Sequence, residues 1–295
     1  MAIATHTAPA YGLVHTGRLQ VIGHSRRLAG RTVRSWFRQP WIEVTNVFIP
    51  HFFLAVGIAG FGFLADRGFG VSNYLGFLVP MAVLQIVAGP SSASGFAIVS
   101  DLQRGYFDKL LLTPASRWSI IFGRVAADGL RAVLYSSIVV AVALTFGSGV
   151  VAGVGGVLVL LLMAGLFGVA YSGVGIFIAL RTASAEAAQA SFMLFYPLLF
   201  MAPAYVPREI FSDWLRWIAT VNPVTYMMEG MREIVLGDFA ASAAVEDVGG
   251  SAAAIAEAAG NGWDPERVIL AFVAIVGFGA LTLSASAFAL KRRAG

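Results

Sequence analysis

Charged side chains are missing from five long windows of this chain: 44–65, 68–100, 132–180, 187–207 and 268–290 contain no Asp, Glu, Lys or Arg. Each window is at least as long as the roughly 20 residues a helix needs to cross the hydrocarbon of a bilayer. The window from Ala132 is too long for one crossing and breaks at the glycine-rich stretch from Gly147 to Gly156. The pattern predicts six transmembrane helices, at 44–65, 74–99, 124–148, 154–180, 187–207 and 268–290. The fold class is therefore an all-α membrane protein with a single transmembrane domain over 1–295. The third span must start before Ala132 to reach crossing length. Its first turns then carry Arg124, Asp128 and Arg131 at i, i+4 and i+7, one helix face on which opposite charges neutralise each other and long side chains snorkel to the interface.

The segments between the windows have patterns of their own. In 18–40, Arg27, Arg31, Arg34 and Arg38 recur at helical spacing, with Ala29, Val33, Trp36 and Phe37 opposite and Pro40 as a stop. That is an amphipathic interfacial helix, with its rings at the acyl boundary and its guanidinium groups toward anionic lipid. The stretch 208–267 starts with Ile210, Phe211, Trp214, Leu215, Trp217 and Ile218. These are too apolar for free solvent and too interrupted to span, and Asn222-Pro223 follows them. Short re-entrant helices fit that pattern. Beyond Asp238 the chain becomes Ala- and Gly-rich and acidic, a weakly ordered tip.

Composition agrees with the span pattern. The chain is 58% hydrophobic and 12% charged, against about 25% charged in soluble proteins. Met1–Gly30 lacks an apolar core followed by a cleavage site, so no cleavable signal peptide is expected. The absence of cysteine excludes disulfides, thiolate metal sites and cysteine nucleophiles. The net charge of +4 reflects membrane topology rather than nucleic-acid binding. With both termini inside, 15 of the 20 basic residues fall on the cytoplasmic side, and only Arg67, Arg208, Arg216, Arg232 and Arg267 face out. The positive-inside rule thus selects an N-in, C-in orientation. The expected location is the cell membrane, as a multi-pass protein of the bacterial inner-membrane kind, with lipid as its surroundings.

Polar and aromatic residues within the spans mark a possible substrate path: Asn46, Phe52, Gln85, Phe195, Tyr196 and Met201. The scarcity of ionisable groups beside them favours a lipophilic or amphipathic cargo over an ion. Between spans two and three lies a short, charged, leucine-bearing segment, 101–118, which reads Asp101-Leu-Gln-Arg104-Gly105-Tyr106-Phe107-Asp-Lys-Leu110-Leu111-Leu-Thr113-Pro114-Ala-Ser-Arg117. Exposed leucines on a charged helix suit docking into a partner's cleft or capping of the bundle.

This segment resembles the intracellular coupling segment of ABC-2 type transporter permeases, in particular their daunorubicin-resistance-like branch. A second run, Asn222-Pro223-Val-Thr-Tyr226 followed by Arg232, resembles that family's Asn-Pro-x-x-Tyr…Arg signature before the last span. Tyr106 and Phe107 stand where the family has an acidic residue followed by Thr, and the tip 240–262 is longer than the family's usual loop. The resemblance implies the membrane half of an ABC exporter, a homo- or heterodimer with two ATP-binding subunits docked beneath it. It assigns Asp101, Arg104, Gly105, Tyr106, Phe107, Leu110, Leu111, Thr113, Pro114 and Arg117 to ATPase coupling. ATP and Mg would sit on the partner, because the chain contains no Gly-x-x-x-x-Gly-Lys-Ser/Thr phosphate loop and binds no cofactor of its own.

Three other readings remain at the level of sequence. An ABC-2 permease for polysaccharide or lipid-linked glycan shares this fold. An ATP-independent secondary transporter would show paired repeats or charges at mid-membrane. A membrane-embedded enzyme would need a nucleophile motif, and the nearest run, Ala170-Tyr171-Ser172-Gly173, lacks the leading glycine of the Gly-x-Ser-Gly pattern.

Overall fold

A computed structural model of the chain describes residues 40–68, 71, 73–103, 117–237 and 264–293. Among these residues every regular element is a helix. The long helices are α1 (Pro40–Gly68), α2 (Tyr74–Gln103), α3 (Arg117–Thr145) and α4 (Gly153–Thr182). Three short segments follow: α5 (Ala185–Ala190), a 3₁₀ turn (Ser191–Leu194) and α6 (Phe195–Phe200). After a second 3₁₀ turn (Arg208–Ile210) come α7 (Asp213–Val221), α8 (Pro223–Leu236) and the long α9 (Pro265–Arg293).

Five helices, α1 to α4 and α9, are long and apolar enough to cross a membrane. They coincide with five of the six expected spans and overrun them at one or both ends by up to two turns. Arg67 and Arg181 in the last turns of α1 and α4 suit that overrun, because a long arginine side chain snorkels toward the interface. The stretch 187–207 does not form the single helix expected of it. It is helical in three short pieces up to Phe200 and then runs through turns to Pro207. Pro197, Pro203 and Pro207 explain the break, since each lacks an amide N–H and disfavours helix in the residue before it. The expected interfacial helix over 18–40 and the tip 240–262 lie outside the described residues.

The centre of the bundle is α2. Of its most apolar stretch 89% is buried, against 17% for α1. It packs on α4, α3, α1 and α8, while α4 also packs on α9 and α3. The α2–α4 crossing is backbone on backbone: a Cβ on Gly95 would overlap the Gly175 carbonyl, and one on Gly175 would overlap Ser92. Small residues allow such approach where lipid supplies no hydrophobic drive between helices. Hydroxyls bridge the next interface. Thr282 Oγ1 donates to the Ala170 carbonyl (2.6 Å) and Ser286 Oγ to that of Gly173 (2.7 Å).

Chain reversals at one end of the bundle are tied together. Asn73 Nδ2 donates to the Ser148 carbonyl, and Val151 N donates to Val235 O at 3.0 Å. Asp264 N donates to Glu233 Oε1 at 3.1 Å. The α1–α2 and α3–α4 turns, the end of α8 and the start of α9 therefore share one end. Gly147, Gly149 and Gly153 adopt φ of +85°, +67° and +60° in the α3–α4 turn, values that glycine reaches without strain.

Candidate functional site

The coupling candidates lie at the other end. Asp101 falls in the last turn of α2 and Arg117 opens α3, two antiparallel helices packed together. Residues 104–116, and with them Arg104, Gly105, Tyr106, Phe107, Leu110, Leu111, Thr113 and Pro114, lie outside the described residues. Arg124, Asp128 and Arg131 lie two to four turns into α3 rather than in its first turns, because the helix starts at Arg117, and two of them reach other helices. Asp128 is buried and accepts from Ser94 Oγ of α2. Arg131 pairs with Glu43 of α1 and lies 5.4 Å from the Tyr135 ring centre. Arg124 is half-buried one turn before Asp128. The partners Ser94 and Glu43 give no sequence signal, because neither is periodic with the α3 charges.

Midway along the bundle, the substrate-path candidates separate rather than form one path. Phe195 is fully buried, with its ring packed on Phe167 and Tyr171 at 6.0 and 5.6 Å between centres. Phe52 and Met201 are exposed on the outer surface of the bundle. Asn46 and Tyr196 come near each other around Gly89, while Gln85 is buried one turn earlier on α2 with its Oε1 unpartnered. Gly89 of α2 faces both the Asn46 side chain and the Phe192 ring, Phe192 lies 5.0 Å from Tyr196, and Tyr196 lies 6.4 Å from Phe53 of α1. His51 Nδ1 bonds the Val47 carbonyl (2.7 Å), while its buried Nε2 has no partner.

The Asn222 motif is a helix start with an anchor. The Asn222 carboxamide oxygen accepts from Val224 N (3.0 Å), Pro223 occupies the first helical position, and Asn222 Nδ2 donates to Leu198 O (2.6 Å). This cap satisfies an otherwise orphaned amide and ties α8 to α6. Tyr226 donates its hydroxyl to Thr220 O (2.6 Å), which fixes the α7–α8 corner. Ten residues of α8 are buried, Arg232 and Glu233 among them. Arg232 Nη2 donates to Pro203 O at 2.8 Å, and burial pulls its pKa down to about 10. Glu233, which sequence reasoning did not single out, pairs with Arg267 of α9 (3.4 Å).

Around these charges is a cavity of about 190 Å³, lined by Pro203, Pro207, Arg208, Glu209, Glu229, Arg232, Glu233 and Arg267. Burial raises the Glu229 pKa, opposed by Arg208, Arg232 and Arg267. Three guanidinium and three carboxylate groups balance here, which makes the cavity an ion network that holds α8 and α9 together. Among the described residues no three His, Asp or Glu side chains gather as metal ligands would.

This architecture has counterparts among known proteins. The model of the family described as ABC-2 type transporter matches residues 25–236. The daunorubicin resistance ABC transporter permease protein DrrB1 of Streptomyces coeruleorubidus is 29% identical over 196 residues, 65% of this chain and 67% of that protein. The probable multidrug ABC transporter permease YbhR of Escherichia coli is 21% identical over 168 residues, 56% of this chain and 45% of that protein. The chain thus spans less than half the length of YbhR. With a family match over most of its length and a bundle of apolar helices to carry it, the chain is a multi-pass membrane protein and belongs to the ABC-2 type transporter family.

Proposed function

We propose that this chain is the membrane-spanning permease subunit of an ATP-driven exporter, which dimerises and couples to separate ATP-binding subunits. The carrying observation is the family match over 25–236, which takes in both the 101–117 segment and the Asn222 motif. Its context supports the reading. The segment joins two long antiparallel helices at the end of the bundle where the basic residues concentrate. A push on it there would act on α2, the most deeply packed helix.

In this reading the chain crosses six times, N-in and C-in, and the broken run 185–207 makes the fifth crossing. Its helical part, 16 residues from Ala185 to Phe200, would cover about 24 Å at 1.5 Å per residue. Helices α7 and α8 form the re-entrant pair. Gly230 meets Ala271 and Val268, while Glu233 meets Asp264 nearer the end of the bundle, so α8 runs antiparallel to α9 and its start lies deeper than its finish. The exposed Trp214 and Trp217 of α7 suit the headgroup interface.

The cargo is a lipophilic or amphipathic small molecule moved outward from the cytoplasm or inner leaflet, in keeping with the drug-resistance and multidrug names of DrrB1 and YbhR. Two ATP-binding subunits, carrying ATP and Mg, would serve a permease dimer, homo- or heteromeric. Gentle purification of the tagged permease from its native membrane tests this. We expect a stoichiometric soluble ATPase whose activity the cargo stimulates in proteoliposomes. A homo-oligomer without an ATPase, reproduced under crosslinking, would overturn the assignment.

A further inference from the structure

The ion pairs of the cavity around Arg232 leave two of its charges without a partner. Arg208 lies 3.8 Å from Glu229, and Arg267 lies 3.4 and 3.6 Å from Glu233 and Asp264. Arg232 and Glu209 line the same cavity and form no ion pair among the described residues. Arg232 is 5% exposed and commits Nε and Nη2 to the carbonyls of Phe77 and Pro203. Its Nη1 makes no hydrogen bond among the described residues. Glu209 is exposed, and its carboxylate bonds nothing among them either. A buried guanidinium without a direct counter-ion is costly, so this unequal pair suits a ligand that carries both signs.

The cavity lies at headgroup depth. Arg232 stacks on Phe77 in the first turn of α2, and Arg267 stands in the first turn of α9. The site is thus level with the ends of two long apolar helices. Arg208 Nη2 donates to Thr220 Oγ1 of α7 at 2.6 Å, which brings that helix beside the cavity. Its Trp214 and Trp217 are exposed, as rings at a membrane interface are. The volume of about 190 Å³ exceeds the roughly 150 Å³ that holds benzene, so a small polar headgroup fits.

We propose that this cavity binds the phosphoethanolamine headgroup of a membrane lipid, with the phosphate on Arg232 and the primary ammonium on Glu209 and Glu229. The inference rests on the permease reading for its leaflet, which is the outer one in the N-in orientation. The Arg232 Nη1 gives the phosphate a charge-assisted hydrogen bond. A primary ammonium has three N–H donors for the carboxylates. A quaternary ammonium has none and is held by aromatic faces, and no ring lines this cavity. A purely anionic headgroup brings no cation to Glu209 and meets the carboxylates of Glu229 and Glu233 unshielded.

The test titrates the full-length chain in detergent micelles with dioleoyl-phosphatidylethanolamine, dioleoyl-phosphatidylcholine and dioleoyl-phosphatidylglycerol, and counts bound lipid by native mass spectrometry. We expect a single ethanolamine lipid to be retained at about tenfold lower concentration than either of the others. Glu209→Gln should abolish the preference over the choline lipid. Glu209 is exposed and unpaired, so this variant keeps its fold. Asp213→Asn, an exposed acid of α7 that does not line the cavity, should leave the preference intact. Arg232→Gln should weaken the ethanolamine lipid about tenfold, and where that variant unfolds Glu209→Gln still decides the matter. Equal binding of the ethanolamine and choline lipids would overturn the proposal. So would a preference that Glu209→Gln leaves unchanged. Glycerophosphoethanolamine carries the same headgroup without acyl chains and should compete only at far higher concentration. Competition at the lipid's own concentration would overturn the lipid source and assign a soluble ligand. Copurification of an ATPase is read separately, so failure here is distinguishable from failure of the permease assignment.

Discussion

Arg232 holds its guanidinium carbon 3.6 Å from the centre of the Phe77 ring, and its Nε donates to the Phe77 carbonyl at 3.3 Å. One side chain of α8 thus grips α2 by its face and its backbone, while Nη2 reaches Pro203 in the non-helical end of the broken run. Planarity and several donors in one fork make this an arginine task. Arg232→Lys should keep the charge and still destabilise by about 1–3 kcal/mol, because one carbonyl and the stacked ring lose their partner. Unfolding of the purified protein by SDS in mixed micelles would measure this. An unchanged midpoint would refute the clamp.

The α2–α4 crossing gives a contrast within one residue type. Gly175→Ala places a methyl into the Ser92 backbone, and neither neighbour is a flexible tip that can swing away. Overpacking of this kind costs about 1–3 kcal/mol. Gly277→Ala on α9 meets nothing within 4 Å and should stay within about 0.5 kcal/mol. Similar losses in the two variants, by the same unfolding assay, would contradict the packing described here.

Glu43 and Arg131 fasten the least buried long helix to the bundle. Replacing either leaves the other charge poorly satisfied, so the Glu43→Gln, Arg131→Gln double variant should lose less stability than the two single variants summed. A double-mutant cycle should return about 0.5–3 kcal/mol of coupling. Additive losses would mean that the pair contributes nothing to holding α1.

The spans were legible because hydrocarbon forbids unpaired charge, and a charge-free window of crossing length is a direct record of that penalty. That logic found α1 to α4 and α9 but not the fate of 187–207. A window shows that a segment is apolar, not whether three prolines within it leave one helix or several pieces. Arg232 was found through its motif. Glu233, Glu43 and Ser94 were not, because each acquires its role from a partner distant in sequence: Arg267, Arg131 and Asp128.

Glu229 should give the ion network around Arg232 a measurable pH dependence. Burial, its largest influence, lifts the pKa above the ordinary glutamate range. Between the unfolded and folded values the native state then binds more protons than the unfolded one, so stability falls as pH rises through that interval. Glu229→Gln should flatten this slope in thermal unfolding measured across mildly acidic pH. A slope unchanged by the substitution would assign the dependence to another group.

The coupling segment makes the sharpest demand on the functional reading. If 101–117 seats in a partner ATPase, Leu111→Ser should remove an apolar knob from the docking cleft. Disrupting Thr113-Pro114, as Thr113→Ala with Pro114→Ala, should loosen the segment's end. Neither change lies in a membrane-spanning window, so insertion and the yield of folded protein should match the parent. Cargo-stimulated ATP hydrolysis should drop about tenfold or more, as the loss of a buried interface anchor does elsewhere, while basal hydrolysis by the ATPase persists. Parental stimulation in both variants would remove these residues from the coupling path, and the link between membrane and ATPase would have to be sought elsewhere on the cytoplasmic end of the bundle.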